Sequence, residues 1–273
     1  MISPEYVKAR AVLLDALDGL GPHRDAVVLV GAQAVYLHAG AADFVTAPTT
    51  TDADLALVPG RLANEPSIVD AMHAAGFAPG RQPGSWTGPG DITVDLMAPE
   101  ALCGQGGRRS AHLPPPHEDK ATARRTLGLE PAVVDNEVRR IGALDPRDAR
   151  TFEIKVAGPA ALVVSKVVKI AERREQLHRL KPKDGLDVLR LLRVIDTESL
   201  ASSLAVVAAD ELSSAVVADA VKDLRALAAG PEELLPRLAA DAEAGFTDPD
   251  EIKMSMVVLV EDLLREFDRL RSR

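Results

Sequence analysis

Apolar side chains recur at helical spacing over residues 4–20 (PEYVKARAVLLDALDGL), and the pattern stops at Gly21-Pro22, which predicts one helix there. The period then changes. AVVLV, residues 26–30, is a continuous run of mostly β-branched apolar residues, as in a strand covered on both faces, and AQAVYLHAG returns to a helical rhythm from Ala32. DADLALV and ITVDLM alternate polar with apolar positions and read as half-buried strands, with SIVDAMHAAGF between them as a helix. PAVVDNEVRRIGAL and TFEIKVA supply further strand candidates. CGQGGRRSAHLPPPHEDKATARR, dense in glycine, proline and charge, reads as a long surface loop or partly ordered insertion.

After Pro159 the texture is helical. AALVVSKVVKIAERREQLHRL, KDGLDVLRLLRVI, ASSLAVVAADELSSAVVADAVKDLRAL and DEIKMSMVVLVEDLLREFDRLRSR each carry the helical period, with turns marked by Pro182, Gly230-Pro231 and Asp248-Pro249. The expected organisation is therefore an α/β domain over residues 1–156 and an all-helical domain over residues 157–273. No fixed-period repeat is visible.

At 273 residues, 47% of them hydrophobic, the chain can bury a full core. No apolar run reaches a membrane span and the N-terminus lacks the basic-then-apolar order of a secretory signal, so a cytoplasmic protein is expected. The formal charge of −9 comes entirely from residues 196–273, which hold 17 acids against 8 bases. Residues 151–195 hold 10 bases against 5 acids, so that stretch remains suited to polyphosphate or RNA. Aromatic residues are only 3%, which removes the stacking platforms of a base-reading RNA binder and leaves backbone and shape contacts.

The chemistry concentrates in three acids. Residues two apart in a strand point the same way, so Asp52 and Asp54 are expected to project from one face while Ala53, Leu55 and Leu57 pack on the other. Paired carboxylates repel unless a cation lies between them, which makes the pair a candidate magnesium clamp. Asp95, in the DITVDLM strand, is a third acid among apolar neighbours. If those strands are neighbours, the trio suits a two-metal phosphoryl-transfer site. Gly31, ending one strand and opening a helix, is the candidate phosphate turn, where free backbone amides and the helix dipole receive an anion.

With these residues in place, VLVGAQAV, TTDADLAL and TVDLM resemble the fingerprint of the nucleotidyltransferase superfamily with the DNA polymerase β type of fold. GAQAVYLHAG followed by TTDADLAL is similar to the variant found in small bacterial nucleotidyltransferases and in AbiEii-like toxins, including the MenT group. VVSKVVKIAERREQLHRLKPKDGLDVLRLL resembles the AbiEii-type lysine helix followed by a basic-Asp-x-x-Asp motif. The resemblance implies an α/β (α+β) nucleotidyltransferase domain with a small mixed sheet, followed by the helical domain. It implies transfer of a nucleoside monophosphate from an NTP to an acceptor hydroxyl, with Mg2+ held by Asp52, Asp54 and Asp95. It further implies that Gly31, Ala32, Lys166 and Lys169 face the nucleotide, that Lys166 contacts the triphosphate, and that Asp184 or Asp187 supports the lysine or acts near the acceptor. The implied acceptor is tRNA and the implied partner an antitoxin protein. A small-molecule acceptor of the aminoglycoside type, and a binding module on a decayed transferase core, are the alternatives. Ala32 departs from the pattern, since it stands where the family usually has a second Gly or Ser, and the interval from Gly31 to Asp52 is long.

Other candidates read as structural. Asp184 follows Pro182, where capping explains an acid as well as catalysis does. Cys103, the only cysteine, is expected to be a packed thiol, and the histidines at 23, 38, 73, 112, 117 and 178 show no metal-ligand spacing.

Overall fold

The computed structural model describes residues 2–40, 49–103 and 109–272. The chain forms two compact units, Met1–Ala34 with Ala47–Ala157, and Val35–Thr46 with Gly158–Arg273. The first is a mixed α/β unit and the second is helical.

In the first unit, helix α1 (Pro4–Gly19) starts where the Ser3 hydroxyl accepts from the Tyr6 amide and Pro4 fills the first turn, which needs no N–H there. It buries Leu13, Leu14 and Leu17 and packs against strands β2 (Asp52–Leu57) and β5 (Thr93–Pro99). Strand β1 (Val27–Val30) is buried at all four positions, as its unbroken apolar run requires. Helix α2 (Gly31–Ala39) follows it without a loop. The sheet order is β3 (Ala78–Pro79), β4 (Ser85–Thr87), β5, β2, β1, β8 (Thr151–Ala157), β7 (Asn136–Gly142), with β6 (Arg124–Thr126) paired to β5. β2 runs parallel to β5 and β1 parallel to β8, whereas β1–β2, β4–β5 and β7–β8 are antiparallel.

Two local readings in this unit need correction. PAVVDNEVRRIGAL is not one strand: Glu130–Val134 forms a short helix α4, because Pro131 fits a first helical turn, and the side-chain amide of Asn136, the first residue of β7, donates to the carbonyls of Ala132 and Val133. The glycine- and proline-rich stretch is, over its described part, an irregular insertion anchored by buried residues rather than a wholly exposed loop. Ala111, Leu113, His117, Thr122 and Ala123 are buried, the Thr122 carbonyl accepts from the buried Trp86 indole, and Arg124–Thr126 joins the sheet. Composition marked its charged positions but not the small apolar ones that face inward. Residues 104–108 of that stretch lie outside the described residues.

The second unit holds α5 (Pro159–Ala171), α6 (Pro182–Val194), α7 (Thr197–Ala209), α8 (Ser214–Leu227), α9 (Leu234–Ala242) and α10 (Pro249–Arg271). The helical run predicted over 160–180 ends at Ala171, and Glu172, Arg174, Glu175 and Gln176 beyond it are exposed. The run over 201–227 is two helices, since Asp210 turns its carboxylate onto the Leu212 amide and starts a turn instead. Helices α6 and α9 approach closely at Gly185, where an added Cβ would lie 2.7 Å from the Leu238 Cβ.

Candidate active site

The acids of the first unit are placed by sheet register. Asp54 of β2 is the parallel partner of Asp95 in β5, and Asp52 partners Thr93. Register partners project to the same side, so Asp52, Asp54 and Asp95 share one face; they are half-buried while Ala53, Leu55, Val94 and Leu96 are buried opposite. Ser85 of β4 sits in register with Asp95 on that face.

Gly31 lies against this face. Its φ is +66°, and a Cβ added to it would fall 2.0 Å from the Asp54 Oδ2. Glycine is therefore required on two grounds, backbone conformation and the closeness of a carboxylate. The same packing sets the Asp54 carboxylate beside the first turn of α2, whose positive end favours an anion. Ala32 is buried and offers no side-chain donor, so any anion held at this turn must be held by main-chain N–H groups.

Residues that the motif reading missed hold the acids in place. Thr50, itself buried, donates its hydroxyl to Asp52 Oδ1 at 2.6 Å. Buried Gln33 donates to the backbone carbonyls of Asp52 and Ala9 and accepts from Arg10 Nε at 2.8 Å; Arg10 also donates to the Tyr6 hydroxyl. The network ties the start of β2 to α1 and α2. Arg124 of β6 donates to Asp95 Oδ2 at 3.0 Å. Gln33 stood inside GAQAV and Arg124 inside KATARR, but only tertiary register connects them to the acids.

The donor chemistry of this face fits a hard divalent cation, because the groups are all carboxylate oxygens. Among the described residues, however, no three His, Cys, Asp or Glu side chains are gathered tightly enough to hold a metal, and Asp95 is directed to Arg124 instead. The backbone places the acids together; the side chains are not yet closed on a common point.

In the second unit, Lys166 of α5 is buried. Its Nζ donates to Asp184 Oδ1 at 2.8 Å and to Asp187 Oδ2 at 2.7 Å, both on α6. Lys169, one turn on and a third exposed, reaches Asp184 at 3.0 Å, and Arg190 lies 3.4 Å from Asp187 Oδ1. The spacing makes this geometry. Lys166 and Lys169 share one stripe of α5, Asp184 and Asp187 one stripe of α6, and two helix faces with opposite charge meet. Burial opposes charge on Lys166, but Asp187 and Asp184 more than offset it and raise its pKa. Burial likewise opposes ionisation of Asp184, yet Lys166 and Lys169 hold its carboxyl well below the usual range. Tyr36, under the Arg190 guanidinium at 5.3 Å, has its phenol pushed up to about 12 by burial and by Asp187. Arg190 and Tyr36 were not predicted as members of the cluster.

Cys103 donates to the Pro99 carbonyl at 3.2 Å, and burial pushes its thiol up to about 11, the environment of an unreactive thiol. His23 and His117 are buried and pack edge to face at 5.2 Å.

A family model described as a nucleotidyltransferase matches residues 8–213, a span that includes most of α1, both acid strands, Gly31 and the Lys166 cluster. The chain belongs to this family and is a nucleotidyltransferase. No curated protein and no solved structure matches it. Nucleotidyltransferases typically use divalent metals and take an NTP as substrate. No helix among the described residues is long and apolar enough to cross a membrane.

Proposed function

We propose that the protein is a magnesium-dependent nucleotidyltransferase that transfers a nucleoside monophosphate from an NTP to an acceptor hydroxyl with release of pyrophosphate. The observation that supports this most is the placement of Asp52, Asp54 and Asp95 on one face of β2 and β5, beside the Gly31 turn that opens α2. Asp52 and Asp54 are the residues that would hold the cation, and Asp95, now paired with Arg124, would be the third carboxylate. Bound magnesium would supply charge neutralisation of the triphosphate and a more acidic acceptor hydroxyl.

The remaining work belongs to the chain's own groups. Main-chain N–H groups at Gly31 and Ala32 bind phosphate oxygen, without the hydroxyl that a serine at position 32 would add. Thr50 and Gln33 keep Asp52 in place. Lys166 gives two of its three N–H donors to Asp184 and Asp187. Those aspartates orient the ammonium, and the family resemblance assigns Lys166 and Lys169 to the triphosphate. On this reading residues 1–156 are the nucleotidyltransferase domain and residues 157–273 the helical domain.

We assign tRNA as the acceptor and a toxin role in a toxin-antitoxin pair on narrower grounds. The GAQAVYLHAG, TTDADLAL and VVSKVVKI motifs resemble the AbiEii and MenT group, and Arg174, Arg179 and Lys181 form an exposed basic segment after α5 suited to an RNA backbone. Incubating the full chain with each labelled NTP, magnesium and total tRNA tests the assignment. Label in tRNA from one NTP supports it; label on a protein or small molecule, with tRNA unlabelled, removes tRNA from the proposal.

A further inference from the structure

Strand β7 is one edge of the sheet, and its sequence, NEVRRIG, is self-complementary in a single register. The outward backbone groups follow from the ladder with β8. The Ala143 amide donates to the Arg150 carbonyl at 3.2 Å, which makes that pair the hydrogen-bonded kind. Pairs alternate along an antiparallel ladder, so Ile141–Phe152, Arg139–Ile154 and Glu137–Val156 are hydrogen-bonded as well. The N–H and C=O groups of Asn136, Val138 and Arg140 therefore point away from β8, along the open edge. Val138 is 63% exposed, and this seven-residue edge contains no proline.

We propose that a second copy of this chain pairs antiparallel with β7, with Val138 opposite its own counterpart on the two-fold axis. In that register Val138 exchanges two backbone bonds with Val138 of the other copy, and Asn136 exchanges two with Arg140 at each end. Glu137 then faces Arg139 of the other copy, and Arg139 faces Glu137. These are non-hydrogen-bonded positions, where opposed side chains stand closest and opposite charges attract. The Glu137–Arg139 ion pair already present within one strand keeps both groups on that same face.

Neighbouring registers fail on charge. Centring on Glu137 opposes two glutamates, centring on Arg139 opposes two Arg139 side chains, and centring on Arg140 opposes two Arg140 side chains. Charges that ordinarily protect an edge from pairing here disfavour the registers on either side of the Val138-centred one. Two patches related by a two-fold axis close on themselves, so the pairing stops at a dimer.

Sedimentation velocity of the full chain over a concentration series tests this, with Glu137→Arg and Arg139→Glu variants. Each reversal turns two attractive cross-strand pairs into two repulsive ones, and is expected to weaken dimerisation at least about tenfold. Mixing the two variants restores unlike pairs at both positions and is expected to regenerate a dimer that neither forms alone. The double variant Glu137→Arg with Arg139→Glu is expected to dimerise as the native chain does. A native chain that stays monomeric at the highest concentration overturns the proposal, as do single reversals that dimerise like the native chain or a mixture that remains monomeric. Circular dichroism of the variants identifies any that fail to fold, and Val138→Lys, which changes only an exposed side chain on the dimer axis, then takes their place with the same expected loss.

Discussion

Gly31 and Asp54 occupy space that only a glycine leaves: a Cβ at residue 31 would overlap the Asp54 carboxylate at 2.0 Å. Gly31→Ala must either move Asp54 or distort the first turn of α2, and it also places a side chain at a φ of +66°. The expected result is a loss of about 1–3 kcal/mol in stability by urea denaturation, together with loss of nucleotide transfer. Wild-type stability and transfer in this variant would mean that the contact neither constrains the backbone nor positions the acid.

Asp95 is paired with Arg124, and both side chains are about a quarter exposed. Such a pair contributes little to stability, on the order of 0–1 kcal/mol, but it competes with any cation for the carboxylate. Arg124→Ala should leave the melting temperature nearly unchanged without metal and bind magnesium roughly three- to tenfold more tightly, read as the magnesium dependence of that temperature. Unchanged or weaker magnesium affinity would remove Asp95 from the metal site.

The Lys166 cluster predicts a contrast between two lysines one turn apart. Lys166→Ala leaves Asp184 and Asp187 buried with less compensation and should cost about 3–5 kcal/mol. Lys169→Ala removes a partly exposed contact and should cost no more than about 1 kcal/mol. Denaturant titration of both variants checks the contrast, and equal costs would contradict it.

His23 carries a pH prediction. Its Nε2 donates to the Pro66 carbonyl at 2.9 Å, and its Nδ1 is buried without a partner. Burial lowers its pKa below the ordinary 6.5, and the neighbouring His117 lowers it further, so the unfolded chain takes up the proton more readily. Its contribution to stability is full above about pH 6.5 and is lost as the pH falls toward the folded value. The denaturation midpoint should drop below pH 6.5, and His23→Gln should flatten that drop. A profile identical in native chain and variant would assign the loss to other groups.

What was legible in the sequence were the features with a local cause. The change of period at Gly31, the alternation of DADLALV and the stop at Gly21-Pro22 each follow from side-chain pattern or backbone sterics, and the corresponding elements lie where those patterns are. Asp52, Asp54 and Asp95 could be singled out because acids are costly among apolar strand residues. The pairing of Lys166 with both Asp184 and Asp187 was only half legible: spacing put each set on one stripe, but the meeting of α5 and α6 is a tertiary fact. Arg124, Gln33, Thr50 and Tyr36 carried no signal of their own. Each is an ordinary residue until sheet register or helix packing brings it to an acid. Pro131 and Asp210 show the opposite failure, in which a periodic run hides a backbone decision made by one residue.

The central claim is that the acid face of β2 and β5 carries out nucleotidyl transfer. Pyrophosphate release from each NTP by the native chain and by Asp54→Asn, with total RNA as acceptor and magnesium present, tests it most directly, with both proteins checked for matching melting temperature without metal. The account predicts release with at least one NTP, dependent on magnesium, and a loss of at least about a hundredfold in the variant. Release at equal rates from both folded proteins would contradict it.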